Sequence, residues 1–155
     1  MHKHTDWHTR GCLTGRGVLI DFKSHAEANN ISYSPFSGFR ITVKDIEAVA
    51  KKQGVTFKPG DILIIRWGYT EALGEMNAEE QQQSMRHHRA CGVDGSTEMA
   101  EWLWNRHFAA VASDTLAFEA MPPVVDGEEQ EPFELGELAL LLFALILVDT
   151  FFFFF

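Results

Sequence analysis

The chain opens M-H-K-H-T-D-W-H, which crowds His2, His4, Asp6 and His8 into seven positions. Imidazoles and carboxylates are what zinc and manganese take as ligands, so a cation site is the first chemistry these residues suggest. A polar lead-in with solvent-exposed histidines accounts for the same residues, and adventitious metal binding is open to any such cluster. Further along, A-A-V-A-S-D (109 to 114) reads as a short strand closed by Asp114, where a carboxylate can face a cleft. With Glu119 it would assist proton transfer if burial raised its pKa; both acids also suit plain turn and capping roles. His87 and His88 sit between Arg86 and Arg89 in a polar stretch and read as solvated. Gly15-Arg16-Gly17 lacks the spacing of a phosphate-binding loop. Cys12 and Cys91 lie in unrelated segments without a C-x-x-C spacing and read as small buried hydrophobes.

The elements that must position these groups alternate. G-R-G-V-L-I-D-F (15 to 22) is a glycine-punctuated apolar run suited to a buried strand, and residues 31 to 41, with Ser, Pro and Gly, read as a loop. T-V-K-D-I-E-A-V-A-K-K-Q-G (42 to 54) carries every mark of a helix. Thr42 is placed to cap free amides, Asp45 and Glu47 suit the N-terminal dipole, and Val43, Ile46, Val49 and Ala50 share one face. Lys51 and Lys52 suit the other end, and Gly54 a left-handed close. K-P-G-D (58 to 61) reads as a turn into a second buried strand, I-L-I-I-R-W-G (62 to 68). Residues 78 to 89 predict a solvated helix. Residues 96 to 108 predict a third, capped by Ser96 or Thr97, with Met99, Trp102, Leu103 and Phe108 inward. Strand, helix, strand, helix, strand implies an α/β fold: a mixed sheet with helices packed on it.

A length of 155 residues with 46% hydrophobic composition suits one domain with a real core. The net charge of −9 is unevenly spread, since no Lys or Arg follows Arg106 while nine acids do. Without a basic stripe there is no counterion-release drive towards nucleic acid, and no polybasic patch for a membrane surface. The cysteine usage and the His-rich start, unlike a signal peptide, predict a reducing, cytoplasmic setting. The organisation expected is a domain over residues 1–123, then an acidic loop and apolar tail over 124–155. That tail, L-A-L-L-L-F-A-L-I-L-V-D-T-F-F-F-F-F (138 to 155), has an uninterrupted apolar run of eleven residues. It is open to three readings: a buried or subunit-covering helix, a tail anchor, or a terminus foreign to the fold. A membrane span is disfavoured by its shortness and by Asp149.

Three blocks, T-G-R-G-V-L-I-D-F (14 to 22), G-V-T-F-K-P-G-D-I-L-I-I-R-W-G-Y (54 to 69) and W-L-W-N-R-H-F-A-A-V-A-S-D-T-L-A-F-E-A-M-P-P (102 to 123), resemble the cyclase family that includes kynurenine formamidase and isatin hydrolase, in its fungal-type branch. The resemblance runs over roughly residues 5 to 123. It implies a metal-dependent hydrolase of amide-like bonds in small aromatic substrates such as N-formylkynurenine, on a swivelling β/α fold around a curved sheet, dimeric or higher. Zinc or manganese would lower the pKa of a bound water and polarise the carbonyl. Its ligand motif, H-x-G-T-H-x-D-x-P-x-H, belongs tens of residues upstream of the G-R-G-V strand, and this chain starts fourteen residues before Gly15. His2, His4 and His8 echo the motif with the wrong spacing, and Trp7 and Gly11 instead match the connecting segment. L-G-E-L (135 to 138) resembles the element that supplies a late Glu ligand, making Glu137 a candidate, although no His follows His107; a helix-start carboxylate is the plainer reading. Arg66, Trp67 and Tyr69 match a stretch in which an aromatic lines the substrate pocket, and Asp114 matches a position near it. The resemblance therefore implies an incomplete member with impaired activity. A relative that has lost catalysis and persists as an interaction module, pairing with a homologue, is the competing expectation, and a tail-anchored protein a weaker one.

Overall fold

A computed structural model describes residues 14–125 together with 128 and 129. Strand β1 (Gly17–Asp21) runs into helix α1 (Phe22–Ala28), which follows it without a loop. Asp21 makes this possible: its carboxylate accepts the Ser24 amide at 3.0 Å and the Ser24 hydroxyl at 2.8 Å, capping the helix it precedes. The sequence reading ended the strand here and missed α1, because seven residues are too few for a visible apolar period.

After a loop come β2 (Arg40–Ile41) and α2 (Val43–Gln53). Val43, Ile46, Val49 and Ala50 are its buried residues, as their spacing dictates, and Gly54 closes it at φ 68°. Thr42 is its N-cap, as expected, and forms a capping box with Asp45, whose carboxylate reaches back to accept the Thr42 N–H and hydroxyl. Strand β3 (Ile62–Arg66) leads into α3 (Tyr69–Glu75) and α4 (Ala78–Arg86), then β4 (Gly92–Val93), α5 (Thr97–Asn105) and β5 (Ala110–Ser113). A hairpin of β6 (Val124–Val125) and β7 (Glu128–Glu129) follows. Helix α4 buries no residue and is solvated as its composition predicts, with exposed His87 and His88 at its end. Ser96 caps α5, whose Met99 and Leu103 are buried.

The main sheet is parallel throughout in the order β1-β3-β5, and β2 pairs with β4, also parallel. Parallel neighbours need crossovers, and α1, α2 and α5 travel in them. They pack with Ile20, Leu63, Ile65, Trp67 and Phe108 into one apolar cluster. The protein is thus the α/β fold that the element order implies. One expectation is corrected. The apolar runs were expected to form buried strands, yet their residues alternate: Val18, Ile20, Leu63 and Ile65 are buried, whereas Leu19 and Ile64 are 45% and 37% exposed.

The K-P-G-D turn carries a buried carboxylate that the sequence did not advertise. Asp61 is 2% exposed and accepts from Arg16 Nε at 2.8 Å, Arg16 Nη2 at 2.6 Å and the Lys58 amide at 2.7 Å. The Arg16 guanidinium and then the Lys58 amide hold it below the usual carboxylate range. A depressed carboxylate contributes stability above its unfolded value, about 4, and that contribution is lost as pH falls through the folded value. Urea titrations should show unfolding free energy dropping below pH 4 in the wild type. The drop should be shallower in Asp61→Asn, which should itself cost about 1.5 kcal/mol at neutral pH.

Candidate functional site

Strand β3 ends at Arg66, and the chain turns through Trp67 and Gly68 into α3. Gly68 sits at φ 78°, a left-handed conformation that disfavours a side chain, and an added Cβ would lie 2.6 Å from the stem of Lys23. The turn aims three consecutive amides at one carboxylate. Asp114 Oδ1 accepts from Trp67 N at 2.7 Å, and Oδ2 accepts from Gly68 N at 2.8 Å and Tyr69 N at 3.1 Å. Register explains the meeting. Ser113 is paired with Ile65, so the residue after β5 arrives beside the end of β3. Asp114 therefore joins Trp67 and Tyr69 in space, and its oxygens fix the corner that carries both rings.

Arg66 faces the other way. Its Nη1 donates to both oxygens of Asp21 at 3.0 and 2.9 Å, and its Nη2 to Glu71 at 2.8 Å. Lys23 pairs with Glu71 as well, at 2.9 Å, and Lys23 and then Arg66 hold Glu71 below the usual range. The guanidinium sequence reasoning set aside for substrate is thus engaged with two carboxylates at the open end of the sheet.

Trp67 is fully buried, packed 5.1 Å from Phe22 and 6.4 Å from Tyr33 between ring centroids, and its carbonyl accepts the Tyr33 hydroxyl at 2.6 Å. Tyr69, 3% exposed, packs on Phe36 at 4.7 Å. The Trp67 indole N–H and the Tyr69 hydroxyl are both buried without a hydrogen-bond partner among the described residues. Burial raises the Tyr69 phenol, and burial followed by the nearby Asp114 pushes the Cys91 thiol up to about 12. Cys91 is then an inert thiol at neutral pH, as a buried hydrophobe would be. Cys91 is the small buried hydrophobe that its sequence context suggested, whereas Tyr33 and Phe36 went unnoticed in the sequence. The loop S-Y-S-P-F-S offers no period to read, though two aromatics in a polar loop are a usable signal.

Glu119 lies elsewhere on the segment that follows β5. That segment returns beside β4: Val93 N donates to Phe118 O, and Ala120 N to Val93 O, both at 3.0 Å. The approach is close enough that a Cβ on Gly92 would stand 2.3 Å from backbone atoms of Glu119 and Ala120. The Glu119 carboxyl is half-buried and makes no hydrogen bond among the described residues. Burial, reinforced by the charge of Asp94, pushes it up to about 7. It is a proton-exchanging acid at neutral pH, and no hydrogen bond or ion pair links it to Asp114, Arg66, Trp67 or Tyr69.

The metal candidates His2, His4, His8 and Glu137, and Cys12 with them, lie outside the described residues. Among the described residues no group of three or more His, Cys, Asp or Glu is placed to hold a metal ion. The Asp114 oxygens are taken by amides, and Glu119 has only Asp94 beside it. These side chains do not fit a zinc or manganese cage. Nor, among the described residues, is any helix long and apolar enough to cross a membrane.

Comparison with solved structures finds a novel cyclase that is similar at 29% identity and a TM-score of 0.59, over 72% of this chain and 34% of that one. Isatin hydrolase A from Ralstonia solanacearum matches at 19% identity and a TM-score of 0.49, over 68% of this chain and 36% of its own. Isatin hydrolase A from Labrenzia aggregata, bound to benzyl benzoate, matches at 18% identity and 0.48, over 70% and 38%. The chain spans about a third of the length of these solved structures. No curated protein matches it. The family model described as Putative cyclase matches residues 3–120, a span that takes in the β3 corner, Asp114 and Glu119. By that match over most of its length, the chain belongs to the Putative cyclase family.

Proposed function

We infer that this chain binds a small aromatic amide, of which N-formylkynurenine is representative, and hydrolyses its C–N bond. The observation that carries the reading is the pair of buried donors, Trp67 N–H and Tyr69 O–H, without an acceptor among the described residues. A buried donor left unpaired costs about 1–3 kcal/mol, and an amide carbonyl is the acceptor that would satisfy it. Phe36 and Tyr33 supply ring faces for an aromatic substrate beside these donors. Asp114 is a positioning residue here, because it holds the corner from which Trp67 and Tyr69 project. Glu119, ionised and protonated in comparable amounts near pH 7, takes the proton of the attacking water and returns one to the leaving amine. Zinc or manganese is implied by the family resemblance, but the described side chains do not supply its cage, so each step rests on the chain's own groups. A cytoplasmic setting and a homo-oligomer belong to the same proposal.

The test is calorimetric titration with N-formylkynurenine, followed by an assay for released formate. Tyr69→Phe should bind about tenfold more weakly, the equivalent of one lost hydrogen bond, while keeping its fold by circular dichroism. Equal affinity in the wild type and Tyr69→Phe would remove the basis of this reading.

An interaction module that pairs with a homologue is the second reading, favoured by Trp104, which stands 48% exposed on α5. Co-purification with a full-length homologue, lost in Trp104→Ala, together with no formate release, would select it.

A further inference from the structure

Two guanidinium groups outside the β3 corner flank a single glycine. Arg40 lies on β2 and Arg89 just after α4, and a Cβ on Gly38 would stand 3.1 Å from Arg89 Nη2 and 3.4 Å from Arg40 Nη1. A side chain at Gly38 would therefore crowd both cations. Arg40 donates through Nη1 to Gly38 O at 2.6 Å and through Nη2 to Pro122 O. These neutral acceptors fix the guanidinium without cancelling its charge.

Arg89 already holds a carboxylate. Its Nη1 donates to Glu129 Oε2 at 2.9 Å and its Nη2 to Glu129 Oε1 at 2.7 Å, the two-bond fork that a guanidinium makes with a planar anion. Arg89, and through its charge Arg40, hold Glu129 below the usual carboxylate range, so both cations act on one anion. The Glu129 side chain is 49% exposed. An exposed pair of this kind adds little to stability, and rotation of one side chain would leave the fork open to another anion.

The surroundings tie this fork to the groups that face the substrate. Arg40 is paired in register with Gly92, which lies against the Glu119 backbone, and Pro122 belongs to the segment that carries Glu119. Met121 O accepts Ala90 N at 3.2 Å, and Pro35 O accepts Cys91 N at 3.0 Å. The loop that presents Phe36 to Tyr69 and the segment that presents Glu119 are thus both fastened to residues 89–92.

We propose that Arg89 and Arg40 form a binding site for the carboxylate of an aromatic ligand, and that Glu129 occupies it in the ligand's place. The identity of that ligand rests on the amide reading above, since N-formylkynurenine carries a carboxylate as well as its formamide; the charge it must carry rests on the arginine pair alone. Guanidinium forks also take phosphate, but the group held here is a carboxylate.

Calorimetric titration of the full chain tests the proposal with three probes: N-formylkynurenine, its carboxamide, in which the carboxylate is replaced by an uncharged amide, and benzoate. Glu129→Gln removes the competing anion and should bind both acids about tenfold more tightly than the wild type, with the carboxamide unchanged. Adding Arg89→Gln should abolish the gain, and Arg89→Lys, which keeps the charge without the fork, should restore only part of it. Circular dichroism checks each fold; if the Arg89→Gln variant does not fold, Arg40→Gln in the Glu129→Gln background decides. No gain for benzoate in Glu129→Gln, an equal gain for the carboxamide, a gain that survives the loss of Arg89, or tighter binding of inorganic phosphate than of benzoate would each overturn the proposal. Benzoate binding that depends on Arg89, with no variant binding the carboxamide, would uphold the arginine site and remove the amide reading alone.

Discussion

Glu119→Gln will lower turnover of the aromatic amide by about 100-fold, the lower end of what a positioned proton-transfer group supplies, and will at the same time make the protein more stable above pH 7. Both effects follow from the carboxyl held near 7 by burial and then by Asp94. In the wild type the ionised form is the base, so kcat/KM should rise with pH and level off above about 7; the variant should lose that rise. Stability runs the opposite way. Between the ordinary value of 4.5 and about 7 the folded state holds a proton that the unfolded state has released. Stability therefore decreases as pH rises across this window, and the cost is fully present above it. Glutamine removes the ionisation and hence the cost. Thermal melts should accordingly show the variant above the wild type at pH 8, with the two alike at pH 5. A variant that is inactive but no more stable at pH 8 would mean that the charge is not buried as described.

Asp114→Ala will cost about 3 kcal/mol, because three backbone amides lose a charged acceptor and hydrogen bonds to charged groups contribute about 1.5–3 kcal/mol each without adding fully. That corresponds to a fall in melting temperature on the order of 10 °C for a domain of this size. The corner has no substitute cap: Gly68 precedes α3, and its side chain is a hydrogen atom. Asp114→Asn keeps an acceptor oxygen and should cost about half as much. If Asp114 positions Trp67 and Tyr69, both variants will also weaken substrate binding in proportion to the disorder of the corner, and the midpoint of the pH profile set by Glu119 will not move. A shift of that midpoint in Asp114→Asn would show instead that the corner acts on Glu119 and not through Trp67 and Tyr69.

What could be read from the residues differed by element. Helix α2 was legible because four apolar residues repeat at helical spacing between a polar start and Gly54, and local rules suffice when they agree. Strands β1 and β3 were legible as apolar runs marked off by Gly and Pro, and β5 as a short run closed by Asp114. Helices α1 and α3 were not, for the first follows its strand without a loop and the second after a two-residue turn, and they are held by carboxylates, Asp21 on the adjoining residue and Asp114 from forty-five residues away. The candidate residues were found by type, whereas their roles could not be. Asp114 and Glu119 are five positions apart and look alike in sequence, yet one is saturated by amides and the other has none.

The sequence by itself determined the α/β alternation, the inward faces of α2 and α5, the solvation of α4 and the family resemblance, because each depends on residue types at short spacing. Tertiary structure alone decided that Asp61 is paired with Arg16, that Asp114 clamps the β3 corner, that Arg66 is taken up by Asp21 and Glu71, and that Glu119 is pushed towards neutrality. A side chain's partner and its distance from water depend on which strands lie side by side, and parallel register brings together residues that no local pattern connects.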